Sequence, residues 1–418
     1  MGLGPLRGRA PSQSTTEGDM RVLYGIVGEG MGHATRSRVV IEHLLASGHE
    51  LRVVVSGRAH KFLTEKLKGR AGVTIEEIVG LNLSFEGNEL DVADSLITNI
   101  EKIPDALQKN VDVYKSVVGS FDAQVAISDF ESFTYFYARV NGIPVVSIDN
   151  MQIINRCRHD RFVSDDKSFA FRVAKLAVKA KLPGAYHYLV SSFFFPQVRK
   201  PRTTLVPPIL RPEVLAAKRE PGDHVLVYQT ATTNADLIPI LQKLPGRFRL
   251  YGMGKSGEEG NVTLCAFSES GFIDDLRTAR AVIAGGGYSL MGEAVHLRVP
   301  MLSVPIRGQY EQELNARYLQ RLGYGRFVEE LSADAVASFL AETDAMESAL
   351  GKYQPSDNRM LFACLEELVH DVDLGEPPPH KLNSKSMGTW DGPALPPHLA
   401  AAIENDEDET VTAQHKKS

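Results

Sequence analysis

Three consecutive glycines in the second half of the chain join an apolar stretch to a helical pattern, in Ala284-Gly-Gly-Gly-Tyr-Ser-Leu-Met-Gly-Glu293. A turn of this kind directs backbone N–H groups and the positive end of a helix at an anion, so a diphosphate fits there without a lysine or a metal. Glu293 lies about one helical turn past Ser289, where a carboxylate can accept hydrogen bonds from both hydroxyls of a ribose. Tight packing of a helix on a strand would also use the glycines, but their combination with Glu293 favours a site for phosphate and ribose.

Polar residues that suit the hydroxyl groups of a sugar follow the predicted strand Met301 to Val304. They lie at the carboxyl end of a strand and together offer several hydrogen-bond donors and acceptors. The alternative is a polar, solvated helix N-terminus, and we favour the sugar-binding interpretation for two of them, Glu311 and Gln312. The full set is Gln309, Glu311, Gln312 and Asn315.

An apolar pair, Phe272 and Ile273, precedes the predicted strand Ala281 to Ala284. Such a pair could cover a nucleotide base, with the backbone of Ile273 reading the edge of that base. The alternative is that Phe272 belongs to the hydrophobic core.

A second glycine-rich loop, Gly28-Glu-Gly-Met-Gly-His33, follows the first apolar run of the chain and precedes a helical pattern. Gly30 and Gly32 allow a tight turn and leave backbone N–H groups open to a ligand. A dinucleotide-binding loop would have a glycine in place of His33 and an acidic residue roughly 20 residues further on. The second strand ends instead in Val55-Ser56-Gly57, which argues against NAD or FAD, and we expect no cofactor.

Three side chains near this loop are candidates for proton transfer or for binding an acceptor. His33 suits a general base that deprotonates a hydroxyl, because its pKa is ordinarily near neutral; a structural histidine that caps the loop is the alternative. Arg36 could bind an acceptor phosphate or could be a solvated surface arginine. Asp129 follows the predicted strand Val125 to Ser128, and it could serve as an alternative base, orient His33, or cap a helix.

Strands and helical patterns alternate along the chain from Met20, which predicts βαβ units and parallel sheets with helices on both faces. A helix is expected over Thr35 to Ser47, before Gly48. The predicted strands are Arg21 to Val27, Leu51 to Val55, Val125 to Ser128 and Pro144 to Ile148 in one block, and Val225 to Tyr228, Phe248 to Tyr251, Val262 to Ala266, Ala281 to Ala284 and Met301 to Val304 in a second.

Two such blocks of similar size predict an α/β protein with two Rossmann-like, doubly wound domains that face a cleft. We place the first domain at residues 20–206 and the second at 207–356, with the hinge near Pro207-Pro208. A helix at 357–370 is expected to cross back to the first domain. Residues 1–19 are expected to be a disordered leader, and residues 371–418, which are rich in proline and acidic residues, a disordered tail.

Composition excludes several classes of protein. The net charge of −6 disfavours nucleic acid as a partner. The three cysteines form no disulfide framework and no CxxC pair, so we expect a reducing, cytoplasmic location and no metal site. No apolar run approaches the roughly 18 to 20 residues of a membrane-spanning helix.

The second-half pattern resembles the donor domain of MurG, the peptidoglycan N-acetylglucosaminyltransferase, and still more closely the MurG-like glycosyltransferases of bacteria and archaea. The similarity runs from Phe272-Ile-Asp-Asp-Leu through Gly-Gly-x-x-x-x-x-Glu ending at Glu293 to Val-Pro-x-x-x-x-x-x-Gln ending at Gln312, and then to Asn315-Ala316. The loop that ends in Gly32-His33 and the segment Gly142-Ile-Pro-Val-Val146 are also similar. The resemblance covers roughly Met20 to Val369.

This resemblance implies a GT-B fold and an inverting, metal-independent transfer of a hexose or N-acetylhexosamine, usually from a UDP-sugar, in cell-envelope or glycoconjugate synthesis. By position it implies that Phe272 and Ile273 meet the base and that Glu293 holds the ribose. His33 falls at the position where the family has its acceptor-side histidine. The diphosphate would meet Gly286, Gly287 and Ser289, and the sugar Glu311 and Gln312.

The chain also departs from MurG. MurG has a serine at the position of Gly286, a glutamine at that of Glu311, and a Gly-Gly-Ser-Gln loop where Gln229-Thr-Ala-Thr232 stands here. Thr230 could still contact phosphate, but the departures leave the identity of the sugar open.

Two other functions fit the same pattern: a non-hydrolysing UDP-sugar 2-epimerase and a catalytically silent protein that binds nucleotide sugars. We expect the acceptor to be a sugar or a lipid-linked molecule. Between Phe171 and Arg202 there are seven basic residues and no acidic ones, near Phe193-Phe-Phe195, and this mixture could bind an anionic membrane surface at the cytoplasmic face. A buried strand and a solvated basic face are the alternative.

Overall fold

The structure is a computed structural model that describes residues 19–28, 30–80, 84–86, 89–91, 108–115, 119–164, 168–229 and 236–382. Apart from Asp19, the predicted leader lies outside the described residues. So do Thr230 and the part of the predicted tail that begins at residue 383.

The first domain is built on a seven-stranded, wholly parallel sheet in the order β11-β9-β7-β6-β1-β2-β3. Its central strands are largely apolar because helices cover both faces, as in Val53, Val54 and Val55, all fully buried. The strands are β1 Arg21–Ile26, β2 Glu50–Ser56, β3 Val73–Ile78, β4 Ser84–Glu86, β5 Glu89–Asp91, β6 Val125–Asp129, β7 Val145–Asp149, β8 Cys157–Arg158, β9 His187–Ser191, β10 Gln197–Val198 and β11 Thr203–Val206, and the helices α1 Met31–Ala46, α2 Gly57–Lys66, α3 Ser132–Val140, α4 Gln152–Arg156 and α5 Phe169–Lys181.

The second domain repeats this plan with a seven-stranded sheet in the order β14-β15-β13-β12-β16-β17-β18, in which only β14 is antiparallel to its neighbour. Both sheets are therefore Rossmann-like, as predicted. The elements are α6 Pro212–Ala216, β12 His224–Tyr228, α7 Leu237–Gln242, β13 Arg247–Tyr251, β14 Gly257–Glu259, β15 Val262–Cys265, α8 Glu269–Thr278, β16 Ala281–Ala284, α9 Tyr288–His296, β17 Met301–Ser303, α10 Tyr310–Arg321, β18 Gly325–Phe327, α11 Ala333–Ala341 and α12 Thr343–Leu350.

A final helix, α13 Arg359–Asp373, packs into the core of the first domain. Its apolar residues, among them Leu361, Leu365 and Leu368, lie in one cluster with residues of the first sheet. The tail boundary predicted at residue 371 is too early, because the helix runs to Asp373. The chain then stays in contact with the first domain, since the Tyr186 hydroxyl donates to the carbonyl of Glu376.

The two domains meet along aromatic and polar contacts. The ring of Phe194 stacks on that of Tyr318, with 3.8 Å between the centroids, and the hydroxyl groups of Ser191 and Tyr288 lie 2.9 Å apart. Phe194 is 4 % exposed, so it belongs to this interface rather than to a membrane-binding surface. These contacts bring the carboxyl ends of both sheets toward one another.

Candidate active site

His33 lies in the first turn of α1, at the boundary between the domains. The helix begins after Gly30, whose φ of 86° is a left-handed conformation that glycine adopts without strain. The imidazole is 19 % exposed, and its Nδ1 lies 2.8 Å from Asp129 Oδ1. Nε2 is therefore the ring nitrogen left for a substrate. Burial and the charge of Arg36 lower the pKa of His33, against the opposing effect of Asp129.

Asp129 ends β6, opposite Ile26 in the register of the parallel sheet, which places it beside the loop that leads to His33. Its side chain is 1 % exposed and accepts hydrogen bonds from Arg36 and from the hydroxyl of Ser37. Burial alone would raise the pKa of Asp129, but Arg36 and His33 hold it far below its usual range. Asp129 therefore fits the role of orienting His33, and its environment does not support the alternative that it is the base.

Arg36 was expected to bind an acceptor phosphate or to be solvated, and the structure supports neither. It is 3 % exposed, because its side chain, one turn beyond His33 on α1, is directed at Asp129 at the end of β6 and at Asn150 after β7. Its Nε donates to Asp129 Oδ2 at 2.9 Å, and its Nη1 donates to Asn150 Oδ1 at 2.6 Å. The guanidinium thus belongs, with Asp129, to the group of side chains that hold the His33 ring in place, here called the support of His33.

The triple-glycine turn of the second domain faces the first domain. Gly287 is the N-cap of α9, and no side chain of the described residues caps that end. A Cβ atom placed on Gly32 would lie 2.6 Å from Ser289 Oγ, so the N-termini of α1 and α9 approach each other closely across the domain boundary. Gly30, by contrast, has no atom near its Cβ position and is exposed.

Gln312 was expected to bind the sugar but instead joins two loops of the second domain. Its Oε1 accepts from the backbone N–H groups of Gly286 at 3.0 Å and Ile306 at 3.1 Å, and its Nε2 donates to Gln309 Oε1. The amide of Gly286 is therefore engaged within the protein. The amides beyond it, at the start of α9, are the better candidates for phosphate.

Glu311 lies in the cleft between the domains. Its Oε1 accepts from Asn150 Nδ2 of the first domain at 2.6 Å and from Asn315 Nδ2 of its own helix at 2.5 Å. Burial raises the pKa of Glu311 to about 7, although both amides favour the charged form. Asn315 also donates to the carbonyl of Gly286, so the predicted sugar and phosphate residues share one network.

Glu293, predicted to hold the ribose, forms a bidentate ion pair with Arg211. Its Oε1 and Oε2 accept from Arg211 Nε and Nη2, both at 2.8 Å, and the residue is 6 % exposed. Arg211 also contacts Glu269 at the start of α8. Each oxygen of Glu293 keeps a second lone pair, so the ribose assignment stays a prediction.

Phe272 and Ile273 lie in α8 rather than in a loop above a base. Phe272 is 7 % exposed and packs edge-to-face on Tyr228 and Tyr251. Its backbone N–H donates to the carbonyl of Ser268, and Ile273 is likewise inside the helix. The structure supports the core alternative for Phe272.

Comparison with known proteins identifies the family. The model of glycosyl transferase family 1 matches residues 20–343. The chain belongs to this family.

Curated relatives of this glycosyltransferase are archaeal. An uncharacterized glycosyltransferase of Methanosarcina acetivorans is 27 % identical over 338 residues, which cover 74 % of this chain and 86 % of the relative. One from Methanosarcina mazei is 25 % identical over 344 residues, with the same coverage.

Solved structures show the fold. A UDP-glucosyltransferase from Polygonum tinctorium that glucosylates indoxyl aligns with a TM-score of 0.61 at 15 % identity, covering 86 % of this chain and all of the neighbour. LpCGTa in complex with UDP aligns with a TM-score of 0.57 at 16 % identity, covering 85 % and 99 % of the two chains. The fold of this glycosyltransferase is GT-B.

Sequence reasoning missed two residues of the glycosyltransferase site. Asn150 directly follows β7, whose carboxyl end lies beside that of β6, and a polar residue at that position could have been marked as a cleft residue. Arg211 lies just after the predicted hinge at Pro207-Pro208 and was given no role. Its pairing with Glu293 spans 82 residues of sequence, and no local pattern signals it.

The described residues include no metal-binding cluster and no membrane-spanning helix. Within the described ranges, no three His, Cys, Asp or Glu side chains come together in a way that could hold a metal ion. In the same ranges, no helix is both long and apolar enough to cross a bilayer.

Proposed function

We propose that this glycosyltransferase transfers a hexose or N-acetylhexosamine, with inversion and without a metal, from a UDP-sugar to an acceptor hydroxyl. The observation that carries the proposal is the approach of the N-terminus of α9 to the first turn of α1, which brings an anion-binding helix end and a histidine base to one cleft. The resemblance to MurG-like enzymes and the UDP of a structural neighbour support the choice of nucleotide.

The reaction is a single displacement at the anomeric carbon. His33 Nε2 takes the proton of the acceptor hydroxyl, the acceptor oxygen forms a bond to the anomeric carbon, and the bond from that carbon to the diphosphate breaks. The electron pair leaves with UDP. The amides and the dipole at the start of α9 stabilise the charge on the diphosphate, and one such donor is worth about 3 to 4 kcal/mol in other enzymes.

The remaining cleft residues bind different parts of the donor. Glu311, together with Asn315, faces the sugar, and Glu293 accepts from the ribose while Arg211 holds its carboxylate in place. Asp129 keeps the His33 ring oriented and stays ionised throughout.

UDP release with water as the acceptor tests the proposal without knowledge of the natural acceptor. UDP, UDP-glucose and UDP-N-acetylglucosamine should each raise the melting temperature, because they bind the folded state. His33→Gln should bind UDP as the wild type does and lose about 10²- to 10⁴-fold in the rate of UDP release, while the control His60→Gln on α2 keeps the rate.

Each rival function predicts a different result of the same experiment. Formation of the 2-epimer from UDP-N-acetylglucosamine without an acceptor would identify an isomerase. Binding without release of UDP, with water or with an added panel of sugars and lipid-linked sugars, would identify a nucleotide-sugar sensor. Wild-type turnover by His33→Gln would overturn the assignment of the base.

The acceptor we favour is lipid-linked, because α5 presents an apolar stripe to solvent. Phe169 is 82 %, Val173 49 % and Leu176 67 % exposed, on the side of the helix opposite the buried Phe171 and Val178. Basic residues flank the stripe on one side, and such a helix suits an anionic leaflet at the cytoplasmic face. These are Arg172, Lys175 and Lys179.

Vesicle flotation tests this docking surface. The protein should float with phosphatidylglycerol vesicles and stay behind with phosphatidylcholine vesicles. Leu176→Glu should abolish flotation, because it places a carboxylate in the stripe. Phe267→Glu, which adds the same charge at a residue 68 % exposed in the second domain, should float as the wild type does. Equal flotation of both variants would refute the surface.

A further inference from the structure

Arg36 uses one guanidinium group to contact three residues from three elements. Nε and Nη2 donate to the two oxygens of Asp129 on β6, and Nη1 donates to Asn150 Oδ1 after β7. Nη2 also lies 2.7 Å from His33 Nδ1, one turn earlier on α1. A planar fork of N–H groups can donate to Asp129 and Asn150 at once, whereas a lysine ammonium cannot. A neutral His33 ring with Nε2 free carries its proton on Nδ1 and donates it to Asp129, so the nearby Nη2 acts on the ring through its charge and not through a hydrogen bond.

The contacts of Arg36 decide how strongly Asp129 acts on His33. The charged groups that face His33 are Asp129 from β6, Arg36 from its own helix and Lys181 from the end of α5. Asp129 alone would favour the protonated imidazole, while Arg36 compensates the carboxylate and, like Lys181, opposes protonation. Burial is the largest effect that lowers the pKa of His33, and Arg36 and Lys181 add to it, which favours the neutral ring whose Nε2 can accept a proton.

A second chain of contacts leads from Arg36 to the opposite domain. Asn150 accepts from Arg36 through Oδ1 and donates through Nδ2 to Glu311 Oε1 at 2.6 Å. Among the described residues, the Asn150 side chain thus joins the support of His33 to the carboxylate that faces the sugar. A change at Glu311 on donor binding has a continuous hydrogen-bonded route to His33.

We infer that Arg36 is a positioning residue that keeps His33 a neutral base and, through Asn150, couples that base to the donor-side carboxylate Glu311. The inference rests on the proposed function only for its second half. The first half concerns the protonation of His33 in the free protein, on which Arg36 and Asp129 act together with burial and Lys181.

The first test is an NMR titration of the His33 imidazole nitrogens in the free protein, with the signal assigned by its loss in His33→Gln. In Arg36→Met the pKa of His33 should rise by about one unit or more, because Asp129 is no longer compensated. Arg38→Met is the matched control: it removes a buried guanidinium two residues away on α1 that pairs with Glu213 and Glu269 instead, and it should leave the titration unchanged.

Arg36→Lys guards against loss of folding, because it keeps a cation beside the buried Asp129. It should give a pKa of His33 between those of the wild type and Arg36→Met. An identical His33 titration in the wild type, Arg36→Met and Arg36→Lys would overturn the inference.

The second test adds saturating UDP-N-acetylglucosamine. Donor should shift the His33 titration in the wild type, and in Asn150→Ala the shift should be lost while the donor still binds. An equal shift in both proteins would refute the coupling through Asn150. Failure of any nucleotide sugar to bind would count against the proposed function, whereas the first test would stand by itself.

Discussion

Glu311 is the residue whose charge state most directly reports on the cleft. Burial raises its pKa from an ordinary 4.5 to about 7, so the folded protein holds a proton that the unfolded chain releases between these values. The contribution of Glu311 to the free energy of unfolding is therefore complete below the ordinary pKa, and it is lost as pH rises through the folded-state pKa.

Glu311→Gln should remove this loss, since glutamine stays neutral and can still accept from Asn150 and Asn315. We expect little difference from wild type near pH 5 and a gain of about 1 to 2 kcal/mol near pH 8, allowing for solvent screening. Urea unfolding of both proteins at the two pH values measures this difference in the free energy of unfolding. Glu313→Gln on the same helix removes the ion pair with Arg317, and its difference from the wild type in the free energy of unfolding should not increase with pH. A constant difference for Glu311→Gln would contradict the burial argument.

Residue types alone predicted some of the residues that the structure brings together and missed others. His33 and Asp129 were marked because they follow strands at a cleft, and the structure brings them together. Arg36 was misjudged because its partner Asp129 is 93 residues away, and local sequence cannot say that an arginine one turn into a helix faces inward. Glu293 likewise has a partner that only the tertiary structure supplies.

Among elements, the parallel strands were the most predictable part of the molecule. A strand buried on both faces is apolar along most of its length, so β1, β2, β6 and β16 stand out as apolar runs in the sequence. Helix ends were less predictable. Helix α1 starts at Met31 rather than at Thr35, because glycine at position 30 accepts the left-handed turn that allows an earlier start.

The triple-glycine turn shows why an element's chemistry depends on its neighbours. The sequence predicted free amides at the end of β16, but Gln312 from α10 occupies that of Gly286. A Cβ on Gly286 would lie 2.4 Å from Gln312 Cβ, so the glycine is needed for this close packing. Both interpretations of this turn therefore apply. Gly286 is needed for close packing, and the helix end that starts at Gly287 is not capped by any side chain in the described part of the chain.

For the whole molecule, a cluster of charges around Glu269 joins the domains. Glu269 in the second domain contacts Lys66 Nζ at 2.5 Å and Arg38 Nη1 at 3.6 Å in the first domain, and Arg211 Nη1 in the connecting segment at 3.1 Å. Its side chain is 13 % exposed. Burial opposes ionisation, but the three cations lower the pKa of Glu269 below its ordinary value. Glu269 thus places a negative charge among three cations at the domain boundary, although Arg38 also pairs with Glu213 and Arg211 with Glu293.

Glu269→Gln should weaken the association of the domains, because it leaves Lys66, Arg38 and Arg211 close together with less negative charge between them. We expect a loss of about 2 to 4 kcal/mol near pH 7, with calorimetry showing two separate transitions where the wild type shows one. Since the folded-state pKa of Glu269 is lowered, its stabilisation is present above the ordinary pKa of 4.5 and disappears as pH falls below it, so the free energies of unfolding of the two proteins should become equal in acid.

Glu213→Gln, which alters a carboxylate 44 % exposed that also pairs with Arg38, should cost less than about 1 kcal/mol. If Glu269→Gln unfolded in one transition at the wild-type temperature, the domains would be held together by the aromatic contacts around Phe194 and Tyr318 and not by this cluster.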